Sequence, residues 1–128
     1  MTGAELTDRY RGYIACLNDQ NWPELDRFVD DEVQYNGQRV GLVGYRRMLE
    51  EDFRAIPDLH FNIALLTVEP PHVACRLLFD CTPAGMLFGF SVNGKRVAFS
   101  ENVFYEFQDG KIRHVWSVID KAAVGAQV

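Results

Sequence analysis

Three dipeptides constrain this chain more than anything else in it: Asn36-Gly37, Asn93-Gly94 and Asp109-Gly110. Each places residues that tolerate positive φ between apolar, β-rich runs, the strongest short-range signal for a tight hairpin. The last of them opens a run of alternating character, Lys111-Ile112-Arg113-His114-Val115-Trp116-Ser117-Val118-Ile119-Asp120. Counting back by twos from Asp120 puts Val118, Trp116, His114 and Ile112 on one face. If that face points inward, a carboxyl stands at the tip of an apolar strand. Scarce water there would raise its pKa and suit it to trade protons with a bound compound.

The segment ahead of the strands is helical. Thr2-Gly3-Ala4-Glu5 has the spacing of a capping box, and Leu6, Tyr10, Tyr13, Ile14 and Leu17 follow at helical intervals. Asn21-Trp22-Pro23-Glu24 starts a second, short helix with Leu25, Phe28 and Val29 on its buried side. A short strand over 33–36 precedes a third helix from about Gly41 to Ala55, which Ile56-Pro57 stops because a residue before proline avoids the helical region. Asp52 falls on the apolar stripe of that helix, where it either reaches water at the stripe's edge or enters a pocket.

From there the pattern is β: 59–68, 72–81 after Pro70-Pro71, 96–107, and the final strand, with a looser glycine-containing stretch at 82–90. Helices first and a meander of long strands afterwards predict an α+β fold, one domain over 1–121, with helices packed on a strongly curved antiparallel sheet. The last residues, 122–128, read as a short frayed tail. On the fourth long strand Val97, Phe99, Glu101, Val103, Tyr105 and Phe107 form an apolar face interrupted once, at Glu101. Glu101 either pairs with Arg76 or shares a polar patch of a pocket with it. The last strand is apolar on its second face too, through Val115 and Ile119, and a sheet apolar on both faces needs a second cover. A homodimer through the sheet is therefore expected.

Several classes are disfavoured. A net charge of −5 argues against nucleic-acid or anionic-membrane partners. Cys16, Cys75 and Cys81 have no CxxC spacing, and Cys75 and Cys81 stand about 20 Å apart on one strand at roughly 3.3 Å per residue. They read as buried thiols. No HExxH or HxH pattern suggests a metal, and Gly41-Leu42-Val43-Gly44 lacks the Lys-Ser/Thr of a phosphate loop. Without a basic, apolar leader or a membrane-spanning run, the expected location is cytoplasmic.

The order helix, helix, strand, helix, then four long strands resembles the SnoaL-like polyketide cyclases of the NTF2-like superfamily. The resemblance is carried by Asn36-Gly37 with Gly41 and Gly44-Tyr45-Arg46, by Ile56-Pro57-Asp58-Leu59, and by Asp109-Gly110-Lys111-Ile112 with Trp116 and Asp120. It implies an NTF2-like cone and a cofactor-free, metal-free intramolecular aldol ring closure on a small apolar carbonyl compound. Asp120 matches the family's acid/base, and Tyr35, Arg76, Phe99, Glu101, Val103 and Trp116 would shape the substrate pocket. Tyr35, Pro83 and Val103 stand where family members often carry histidines. The same fold also hosts non-catalytic small-molecule binders, isomerases and epoxide hydrolases, the last two requiring two acidic groups or an Asp–Arg–Asp set.

Overall fold

A computed structural model describes residues 1–128. Helix α1 spans Gly3–Asn18, a 3₁₀ turn covers Trp22–Arg27, and strand β1 (Val29–Tyr35) pairs with β2 (Gln38–Arg39) across Asn36-Gly37. Helix α2 (Gly41–Ala55) follows, then β3 (Asn62–Glu69), β4 (His72–Cys81), the two-residue strands β5 (Met86–Leu87) and β6 (Phe90–Ser91), β7 (Val97–Gln108), β8 (Lys111–Ile119) and helix α3 (Lys121–Gln127). Six strands form one sheet in the order β2-β1-β8-β7-β4-β3, with β1 parallel to β8 and the other pairs antiparallel. No helix is long and apolar enough to cross a membrane.

The turn chemistry works as the dipeptides require. Asn36, Asn93 and Asp109 have φ near +50°, and the glycine after each lies near +80°. Two consecutive positive φ values match the right-handed strand twist of a tight hairpin. The capping box also forms: the Glu5 amide donates to the Thr2 hydroxyl and the Thr2 amide to the Glu5 carboxylate. Buried side chains of α1, α2 and the concave sheet face join in one core that includes Leu6, Tyr10, Tyr13, Leu49, Val73, Leu77, Val103 and Ile112. Cys16, Cys75 and Cys81 are buried and unbridged.

Two expectations fail here. The tail is α3, a packed helix whose Val124 is buried and whose first turn is capped by Asp120, the side chain accepting from the Ala123 amide at 3.1 Å. The alternation along β8 is also broken. Glu106 faces His114 while Phe107 faces Ile112, so Arg113 is an extra residue in the ladder. This bulge turns Arg113 toward β1, where its guanidinium meets Asp30 at 3.2 Å and Glu32 at 3.3 Å. One inserted residue exchanges the two faces of the strand beyond it. Val115, Ser117 and Ile119 consequently lie inward, and His114, Trp116, Val118 and Asp120 outward.

Candidate active site

Between α2 and the concave face lies a cavity of about 100 Å³, lined by 20 residues of which 18 are hydrophobic. The two exceptions are acids, Asp52 from α2 and Glu101 from β7. The 20 include no Lys, Arg or His. Tyr13, Tyr35, Tyr45 and Tyr105 bring phenols to the wall, and Phe61, Phe79, Phe88 and Phe99 supply aromatic faces.

Glu101 is placed by strand alternation: its neighbours on the same face, Phe99 and Val103, are 8% and 2% exposed. Its carboxylate accepts a hydrogen bond from the Ser117 hydroxyl, whose inward position is a product of the bulge in β8. Burial raises the Glu101 carboxyl, and the Ser117 bond offsets part of the rise by favouring the anion. Asp52, one turn before the end of α2, has its outer edge in water and its inner edge on the cavity. Loss of hydration against the apolar wall pushes its carboxyl up to about 7, and the charge of Glu101 adds to the shift. Contact with solvent moderates the first of these causes; the direction of both is upward.

The phenols are paired. Tyr13 and Tyr45 hydroxyls stand 2.7 Å apart, and the Tyr10 hydroxyl donates to that of Tyr105 at 3.4 Å. Burial holds Tyr13, Tyr45 and Tyr105 far above the ordinary phenol range, so they serve as donors and not as bases. In a pair of phenols one proton makes the mutual bond and the second stays available to a ligand. Tyr35, half-buried with its ring 6.4 Å from that of Tyr45, is also raised by burial.

Of the residues singled out in the sequence, Tyr35, Phe99, Glu101 and Val103 line the cavity; Asp120, Arg76 and Trp116 do not. Asp120 is exposed and occupied as a helix cap. Arg76 lies on the convex face and donates to Asn102 at 3.1 Å, so it forms no pair with Glu101. Trp116, 42% exposed, stacks on His114 with rings 5.5 Å apart and 8° from parallel. Both corrections on β8, Trp116 and Asp120, have the bulge as their cause. Tyr13, Tyr45 and Ser117 were not legible as site residues. The tyrosines sit on helical stripes that equally predict core, and Ser117 becomes visible only if Arg113 is recognised as an insertion.

A family model described as SnoaL-like polyketide cyclase matches residues 7–128. The chain belongs to the SnoaL-like polyketide cyclase family. It is 49% identical to a SnoaL-like polyketide cyclase from Agrobacterium tumefaciens, with a TM-score of 0.94 over 99% of this chain and 98% of the other. TsrD from Streptomyces laurentii superposes with a TM-score of 0.87 at 20% identity, covering 99% of this chain and 96% of its own. AclR from Streptomyces galilaeus does so with 0.82 at 21%, covering 98% and 96%. These last two likenesses establish the fold alone. No curated protein matches the chain by sequence. The architecture expected for the family, helices against a curled sheet, is the one observed.

Proposed function

We propose that this SnoaL-like protein catalyses acid/base chemistry at the carbon next to a carbonyl, in a small, uncharged, largely apolar substrate, and that Glu101 and Asp52 share the proton work. The observation that carries this reading is the pair of carboxyls in one apolar cavity, unmatched by any cation and held apart in environment: one bonded by a hydroxyl, the other at the water boundary. Two carboxyls whose surroundings differ in this way divide into base and acid.

Glu101, whose anionic form the Ser117 hydroxyl favours, takes the α-proton. The resulting enolate oxygen is met by the spare phenolic proton of the Tyr13–Tyr45 pair. In a ring closure the enolate carbon then attacks a second carbonyl of the same molecule, and the new alkoxide takes the proton of Asp52. Glu101 returns its proton through water at the Asp52 edge, so substrate and product are isomers. Such general acid/base assistance is worth about 10²–10⁴-fold. Two carboxyls also satisfy what an isomerase on this fold would need. That alternative shares the first step and differs in product, a shifted double bond instead of a new carbon–carbon bond.

The test is deuterium uptake at the α-carbon of ethyl acetoacetate in D₂O, followed by NMR. Uptake above the buffer rate that Glu101→Gln abolishes and Asp120→Asn preserves is the expected result. Uptake at the buffer rate, with the ester nonetheless bound, would leave a non-catalytic binder.

We propose also that a second copy covers the convex sheet face, where Leu65, Leu78, Phe104, Trp116 and Val118 are 65%, 44%, 58%, 42% and 71% exposed. A dimer by sedimentation that Val118→Glu dissociates is expected; a wild-type monomer at tens of micromolar would refute it.

A further inference from the structure

A cavity of about 100 Å³ is well below the roughly 300–1,000 Å³ of pockets that hold drug-sized ligands. A substrate long enough to close a ring on itself therefore needs part of the wall to move. One part is built separately. The hairpin of β5 and β6 contributes Leu87 and Phe88 to the wall, yet its strands pair only with each other and not with the six-stranded sheet. Phe88 meets Phe99 edge-on at 5.4 Å across the cavity lining. Its backbone stands at φ +52°, with Gly85 and Gly89 also positive, a conformation that a bulky residue holds only when its surroundings enforce it.

What encloses this hairpin from outside is α3. The Phe90 ring rests on Gly125 so closely that a Cβ there would lie 2.6 Å from it. The Lys121 ammonium sits over the Phe88 ring at 5.5 Å, a cation–π contact. Lys95, in the loop that follows β6, donates to the Gln127 carbonyl, while the Gln127 side chain bridges both backbone groups of Ala98 on β7. The helix itself is anchored to the sheet by the Asp120 amide on the Ser100 carbonyl at 2.9 Å.

We infer that the β5–β6 hairpin is a lid on the cavity and that α3 is its latch, with Gly125 and Phe90 as the positioning residues that set how far the lid closes. Asp120, the conspicuous carboxyl at the end of the last strand, serves this device as the cap that starts the latch helix. The inference rests on the cavity being the ligand site. It assigns control of admission to a segment outside α2 and β7, the elements that carry Asp52 and Glu101.

Native-state hydrogen exchange on the full chain reads the latch without any ligand. The reporters are the amides of Val92 and Asn93, bonded to the Gly85 carbonyl, and of Gly94, bonded to that of Pro83. Phe90→Ala should speed their exchange about 10-fold while Val103 and Tyr105 on β7 stay unchanged, as expected for a local opening. Gly125→Ala should do the same, although alanine is the better helix former, and adding it to Phe90→Ala should have no further effect. The association rate of ethyl 3-oxo-3-phenylpropanoate, from NMR line shapes, should rise in parallel. Unchanged hairpin amides, equal acceleration across β7, or faster exchange with no change in association rate would each overturn the inference. Failure of the ester to bind would count against the ligand site, and the exchange data would still decide the latch.

Discussion

Glu101 and Asp120 occupy neighbouring rungs of one sheet: Glu101 faces Ile119, and the amide of Asp120 bonds the carbonyl of Ser100. They are the same functional group at nearly the same height, yet they meet opposite surroundings. Glu101 points inward, loses water and is raised; Asp120 points outward and spends its carboxylate on a helix amide. The pair shows that a strand carboxyl becomes a candidate acid or base through the face it occupies, and that a single bulge decides the face.

The largest separation between the two should appear in proton transfer. Glu101→Gln should lower α-deuteration of ethyl acetoacetate by about 10²–10⁴-fold, whereas Asp120→Asn, which keeps the helix cap, should leave the rate as it is. The rate should also climb with pH as Glu101 ionises above its ordinary value of 4.5 and fall again as Asp52 loses its proton near 7. Asp52→Asn should remove the falling limb, and a falling limb that persists in this variant would take Asp52 out of the acid role.

Stability should divide along the same inner and outer faces. Val115 is 2% exposed and Val118 71%, so Val115→Ala should cost about 1–3 kcal/mol in urea unfolding and Val118→Ala less than about 0.5 kcal/mol in the monomer. The reverse order of costs would mean that the register beyond Arg113 is the unbroken alternation after all. A smaller effect is expected at the cap: Asp120→Ala should lose about 1 kcal/mol, recovered by Asp120→Asn.

The smallest effect is the linkage between pH and folding. The folded-state pKa values of Asp52 and Glu101 lie above their unfolded ones, so their contribution is complete below about pH 4 and is lost as pH rises through the folded values, near 7 for Asp52. Asp52→Asn should therefore gain stability relative to wild type between pH 4 and pH 8. Because Asp52 keeps contact with solvent, the gain should stay below about 1 kcal/mol. Thermal melts across that range, in which the difference stays flat, would show that the cavity does not dehydrate Asp52.

Much of this architecture could be read directly. The Asn-Gly and Asp-Gly turns, the capping box at Thr2 and the stop at Ile56-Pro57 act over a few residues, and each formed where its chemistry demanded. The alternation of β7, which has no insertion, correctly brought Phe99, Glu101 and Val103 to the cavity. The helix from Lys121 is not legible because its few small residues carry no stripe of their own; it is held by Phe90, Lys95 and the sheet, all distant in sequence.

The chain's own order of residues thus determined the elements, their turns and the carboxyl on an uninterrupted strand, since those depend on local backbone preference and period-two alternation. Only the folded structure decided which face of β8 looks inward, that Asp52 and Glu101 share one cavity, and that Asp120 serves a helix. The first and the last of those outcomes go with the bulge at Arg113, whose guanidinium is drawn to Asp30 and Glu32 across the sheet. That pull comes from residues more than eighty positions away, and no local pattern along β8 records it.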